Sequence, residues 1–227
     1  MSETRILIAE DDGKMARHLE MHLSVRGYDV SLVDHGDSIL PAVERVRPDL
    51  VLLDISLPGM DGLTACGRVC KEYGIPVVMI TAKDDPSTKV IALEFGADDY
   101  ITKPFHLGEL VARVRAVLRR ATRQGKQSEP IIEVDNLRID LSRREVSRDG
   151  ESIHLTKIEF DLLAELLKHA DTVLTYDVLL NRLWGPGYTD TGTIHVHVCN
   201  LRRKLEQGPT SPRWILPVPG VGYRFRM

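Results

Sequence analysis

Four carboxylates, a hydroxyl and an amine stand where short apolar runs stop. Ile6-Leu-Ile-Ala9 ends in Glu10-Asp11-Asp12, Leu50-Val-Leu-Leu53 in Asp54, and Val77-Val-Met-Ile80 in Thr81, while Tyr100-Ile101 leads to Lys103-Pro104. Carboxylates brought together form a hard oxygen site suited to Mg²⁺, which keeps several of its waters. Threonine hydroxyls and lysine ammonium groups suit phosphate oxygens. The set specifies metal-assisted phosphoryl transfer, with Asp54 as the carboxylate nucleophile.

These residues act together only if the chain gathers the ends of the runs. Uninterrupted, β-branched runs suit strands buried on both faces of a parallel sheet. Helical patterns separate them, such as Met15, Leu19 and Leu23 at spacings of four. Five strand–helix alternations predict a parallel sheet wrapped by helices, with its ligand crevice beyond the strands' C-terminal ends. The polar residues stand at those ends.

Composition shifts at Ala121-Thr-Arg-Gln-Gly-Lys-Gln-Ser-Glu-Pro130, which reads as a linker. It divides the chain into a first domain, residues 1–120, a linker, 121–130, and a second domain, 131–227. The second domain starts with strand-like stretches, followed by the capping box Thr156-Lys-Ile-Glu159 and an amphipathic helix. Helices from Thr175 to about Trp184 and from Thr191 to Glu206 follow, and a hairpin closes the chain at Gly222-Tyr-Arg-Phe225. Three helices and a hairpin suggest a winged helix-turn-helix.

The last of these helices carries an apolar stripe, Ile194, Val198, Leu201 and Leu205, beside a polar one, Thr193, His197, Asn200 and Lys204. Arg202 and Arg203 lie close by. An outward polar and basic face suits the DNA major groove, where Asn bonds adenine bidentately. The chain's formal net charge of −3 hides a basic end, because residues 201–227 hold six basic side chains and one acidic. Cys66 and Cys70 lack further soft ligands, so core packing is expected rather than zinc. Three cysteines in 227 residues cannot form a disulfide framework, and no apolar run reaches the roughly 18 residues of a membrane span. A cytoplasmic protein that avoids membranes is expected.

Glu10-Asp11, Asp54 with Leu57-Pro-Gly-Met-Asp-Gly62, Thr81-Ala82 and Gly96-Ala-Asp-Asp-Tyr-Ile-Thr-Lys-Pro-Phe105 resemble a response-regulator receiver domain of flavodoxin-like (βα)5 fold. The resemblance implies that Asp54 accepts a phosphoryl group from a sensor histidine kinase. It implies Mg²⁺ held by Asp11, Asp54 and the Ser56 carbonyl, with Glu10 acting through water. Lys103 would contact the acyl phosphate, its bond to Pro104 would be cis, and Thr81 and Tyr100 would switch rotamer. Ser56 and Lys83 depart from the larger apolar and arginine residues common in relatives, which implies an altered phosphate lifetime.

Residues 193–205 and Gly220-Val-Gly-Tyr-Arg-Phe225 resemble the winged-helix effector of the OmpR/PhoB subfamily. That implies promoter DNA and RNA polymerase as partners, with Asn200 reading bases. Thr193, His197, Arg202, Arg203, Lys204 and Tyr223 would make the other DNA contacts. It also implies a symmetric receiver homodimer through Lys89, Glu94, Asp98, Asp99, Glu109 and Arg113, with Lys89 meeting Glu109 and Asp99 meeting Arg113 across subunits. Gly192, His195 and Pro219 replace residues usual in the family, two of them cations, which implies modest monomer affinity and reliance on paired sites. Two other classes remain: a Mg²⁺-dependent phosphohydrolase using Asp54, which lacks an acid two residues on, and an adaptor whose winged helix binds protein.

Overall fold

The computed structural model describes residues 4–81, 86–122, 131–206 and 212–227. The chain forms two compact units, Met1–Ala121 and Thr122–Met227.

In the first unit, β1 (Thr4–Ala9), β2 (Tyr28–Val33), β3 (Leu50–Asp54), β4 (Val77–Thr81) and β5 (Asp99–Thr102) alternate with α1 (Gly13–Ser24), α2 (Ile39–Val46), α3 (Gly62–Arg68), α4 (Pro86–Glu94) and α5 (Leu107–Thr122). The five strands pair in parallel in the order β2-β1-β3-β4-β5. Every residue of β3 and β4 is buried, as continuous apolar strands require. The order reverses beside β1, so the crevice opens at the ends of β1 and β3. Asp12 caps α1 by accepting from the Lys14 and Met15 amides, and Asp61 caps α3 in the same way from Thr64. A π-helical turn, Val69–Tyr73, extends α3, which the sequence pattern does not reveal. Cys66 and Cys70 are buried, and the Cys70 thiol donates to the Gly96 carbonyl at 3.2 Å.

The second unit starts with an antiparallel sheet of β6 (Ile131–Val134), β7 (Leu137–Asp140), β8 (Glu145–Arg148) and β9 (Glu151–Ile153). Then come α6 (Lys157–Lys168), β10 (Leu174–Thr175), α7 (Tyr176–Leu183), α8 (Thr191–Leu205), β11 (Ile215–Val218) and β12 (Gly222–Phe225). The capping box at Thr156 and Glu159 forms in both directions. The closing hairpin is part of a three-stranded sheet, β10-β12-β11, whose two-residue β10 is too short to signal itself in sequence. α8 packs against α6 and α7, and its Ile194, Val198, Leu201 and Leu205 are fully buried with Phe225 in one core.

Candidate functional site

The ends of β1, β3 and β5 converge. Lys103 Nζ donates to both Glu10 oxygens, at 2.9 and 2.7 Å, and to Asp54 Oδ2 at 2.6 Å. The remaining Asp54 oxygen accepts the Ser56 amide at 2.7 Å. Glu10 and Asp54 are buried, Asp11 is exposed, and the three offer ligand atoms within 4.8 Å of one another. Parallel pairing brings this about: Ala9 sits opposite Leu53, so residues 10 and 54 leave adjacent strands side by side.

The charges are strongly coupled. Burial pushes the Glu10 carboxyl up, and the Asp54 charge adds to this, while the Lys103 bond pulls it down. For Lys103 burial acts first and downward, but its bonds to Asp54 and Glu10 outweigh it and raise the amine. A lysine therefore bridges two buried carboxylates, and these together with Asp11 suit a divalent ion. Hard oxygen donors, two of them buried, fit Mg²⁺.

Thr81 is buried at the end of β4, and its carbonyl accepts the Lys103 amide at 2.7 Å. Tyr100 is buried on β5, and the Lys103–Pro104 peptide is cis. The loop after Asp54 is anchored by close backbone approach. The Gly36 amide donates to the Pro58 carbonyl at 2.9 Å, and a Cβ on Gly36 would lie 1.8 Å from the Met60 carbonyl oxygen. Lys83 and the side chain of Lys89 lie outside the described residues.

One reading of the surface needs correction. Asp99 and Arg113, expected to meet across subunits, already pair within one chain: Arg113 Nη1 donates to buried Asp99 at 3.0 Å while Nη2 donates to Glu109 at 2.7 Å. Both come from neighbouring elements, so the bond closes locally. Asp98 is likewise buried, accepting the Val77 amide at 3.1 Å, whereas Glu94 is exposed.

The correction concerns α8. Its polar stripe faces inward: Thr193, His197 and Asn200 are 0%, 1% and 4% exposed. The His197 ring stacks on Trp184, and the Thr193 hydroxyl meets that of Tyr188 at 2.9 Å. Lys204 pairs with buried Glu159 at 2.6 Å, tying α8 to the start of α6. Arg202 donates twice to the Ile215 carbonyl of β11, at 2.6 and 3.0 Å, and its guanidinium stands over the Tyr223 ring. α8 is covered on two sides by helices and on a third by the hairpin, so the inward arc is far wider than a single apolar stripe. The outward wedge, roughly 100° wide at 3.6 residues per turn, holds Gly192, His195, Val196, Cys199 and Arg203. Hydrophobicity could not reveal it, because polar residues line both arcs. The signal lay in Trp184 and Tyr188, aromatics able to cover Thr193 and His197.

Residues 6–115 match the family of the response regulator receiver domain, and residues 150–225 that of the transcriptional regulatory protein C terminal. The chain is 46% identical over 221 residues to the DNA-binding response regulator MtrA of Mycobacterium leprae, covering 97% of each chain. It is 40% identical over 223 residues to the transcriptional regulatory protein KdpE of Mycobacterium tuberculosis, covering 98% of this chain and 99% of that one. Among solved structures it is similar to a RitR mutant, at 30% identity and a TM-score of 0.76 over 98% of both chains. It is also similar to the response regulator DrrB of Thermotoga maritima, an OmpR/PhoB homolog, at 29% identity and a TM-score of 0.54 over the whole of both.

Proposed function

The chain belongs to the OmpR/PhoB family of two-component response regulators, and from that membership we propose how its own residues carry a phosphorylation-activated, DNA-binding transcriptional regulator. The observation that carries the reading is the three-way bridge of Lys103, Glu10 and Asp54 beside exposed Asp11.

In this reading an Asp54 oxygen attacks the phosphorus of a kinase phosphohistidine. The P–O bond forms as the P–N bond breaks, and the imidazole nitrogen leaves with the electron pair. The Ser56 amide orients Asp54 by holding Oδ1, which leaves Oδ2 to attack. Lys103 already contacts Oδ2, so it stands where charge gathers on the transferred group. Asp11, Asp54 and the Ser56 carbonyl, with Glu10 acting through water, would hold Mg²⁺, which would supply neutralisation of the phosphoryl charge. Thr81 and Tyr100, on the neighbouring strands, sense the phosphoryl group and pass the change to α4 and α5.

That change shifts a pre-existing equilibrium towards a receiver homodimer through the exposed Glu94 and Glu109 together with Lys89. Joining two effector domains raises their effective concentration on direct-repeat promoter DNA. The partners are then a sensor histidine kinase, promoter DNA and RNA polymerase, and the place of action is the cytoplasm. No described helix is long and apolar enough to cross a membrane.

Gel shifts of genomic fragments with the full chain, with and without acetyl phosphate and Mg²⁺, test the reading. Phosphorylated protein is expected to retard specific fragments at lower concentration. Equal retardation in both states would sink phosphorylation control, and turnover of a small phosphate ester would favour a hydrolase.

A further inference from the structure

Among the five residues in the outward wedge of α8, His195 has its side chain fastened to the closing hairpin. Its Nδ1 lies 2.7 Å from the hydroxyl of Tyr223, on β12. Tyr176, from the start of α7, packs edge-on against both rings, at 5.2 Å from His195 and 6.0 Å from Tyr223. The guanidinium of Arg202 stands 5.6 Å from the Tyr223 ring centre. An exposed histidine on a DNA-facing helix is thus held by a buried phenol, not left to rotate.

The bond ties the imidazole tautomer to the role the Tyr223 hydroxyl takes. A neutral imidazole has one N–H donor and one acceptor nitrogen, and the partner of one ring nitrogen decides the role of the other. Burial pushes the Tyr223 hydroxyl up to about 12, so it keeps its proton. Among the described residues His195 is the hydrogen-bond partner of that hydroxyl. A phenol can donate or accept, and with its O–H donating here Nδ1 accepts. The proton of the imidazole is then on Nε2, the ring nitrogen left for a ligand.

We propose that Tyr223 fixes His195 in the tautomer protonated on Nε2, and that this N–H donates to the N7 of a purine in the major groove. The inference rests on the DNA-binding reading above and names the base class it selects. Purine N7 is an acceptor on the major-groove edge of both adenine and guanine, so one donor distinguishes purine from pyrimidine at that position. Tyr223 is a positioning residue here, since it acts through His195. The neighbours in the wedge add no competing donor close by: Val196 and Cys199 offer apolar and weakly polar surface, and Arg203 lies two turns further on.

The test is selection of bound duplexes from a randomised library by the full chain, phosphorylated with acetyl phosphate and Mg²⁺, comparing the unaltered protein with His195→Ala and Tyr223→Phe. The unaltered protein is expected to enrich a motif with a purine position whose preference falls about fivefold to tenfold in both variants. A second arm alters the DNA instead: replacing that purine by its 7-deaza analogue should weaken binding of the unaltered chain by the same factor, with no further loss in His195→Ala. An unchanged motif in His195→Ala overturns the proposal. So does a uniform loss of affinity with a flatter salt dependence, which would mark His195 as a phosphate contact. A Tyr223→Phe motif identical to that of the unaltered chain overturns the tautomer lock. If the unaltered chain enriches no motif, the DNA-binding reading itself fails, an outcome distinct from the others.

Discussion

In the receiver, Glu10, Asp54 and Lys103 come from the ends of three different strands, and Lys103 lies within 3 Å of both carboxylates. In the effector, Thr193, His197, Asn200 and Lys204 come from a single helix, and none of them is fully exposed. The contrast lies in how each element sets direction. A parallel strand delivers the residue after its last pair to the same edge as its neighbours, whatever covers the sheet. A helix offers all directions, and which of them are open depends on everything packed around it. Strand ends therefore make a site by topology, while a helix face makes one only by what is left uncovered.

Four experiments press on this comparison. The largest effect is expected at Asp54. Asp54→Asn should reduce labelling by acetyl phosphate to background, measured as the phosphoryl mass increment of the intact chain; persistent labelling would place the acceptor elsewhere. Next is Arg113→Ala, which leaves buried Asp99 without its cation and should cost roughly 3 kcal/mol in chemical denaturation of the receiver transition. Glu109→Ala, removing the exposed partner of the same arginine, should cost less than about 1 kcal/mol. Similar costs for the two would mean that Asp99 does not depend on Arg113.

A smaller effect is set by ligand binding. Mg²⁺ at ten times its Kd should stabilise the receiver by about 1.4 kcal/mol, read from the thermal midpoint, and Asp11→Asn should abolish the gain. The direction with pH follows from Glu10. Its carboxyl is held above the ordinary range by burial, so as pH falls protons occupy it earlier than they would an ordinary glutamate. The Mg²⁺ stabilisation should then fade at a pH where isolated carboxylates are still charged. A gain that persists to the ordinary carboxylate range would exclude Glu10 from the site.

The smallest effect contrasts two adjacent cations on α8. Arg203 is exposed, whereas Lys204 is committed to Glu159. Arg203→Ala should lower the slope of log affinity against log salt by about one, and Lys204→Ala should leave that slope unchanged while lowering stability. The reverse result would mean that the Glu159 bond opens on DNA and that the wedge is wider than the free chain shows.

The same contrast explains what could be read before folding. The crevice residues Glu10, Asp11, Asp54, Thr81 and Lys103 are legible because each terminates an apolar run, and run endings survive without knowledge of packing. The hairpin, the capping box at Thr156 and the limits of α8 are legible for similar local reasons. The direction of Asn200 is not legible. It depends on Trp184, Tyr188 and the hairpin all reaching α8, and no periodicity within α8 records them. Nor is the Asp99–Arg113 contact within the chain, because it depends on β5 and α5 lying side by side.

One further consequence follows from the loop after Asp54. Gly36 donates its amide to Pro58 and leaves no room for a side chain beneath Met60. That amide can exchange with deuterium only when the loop lifts off the β2–α2 corner. Its uptake is therefore a clock for loop opening at a spot that takes no part in the chemistry. Timing that clock before and after phosphorylation would show whether the receiver signals by stiffening its rim or by loosening it.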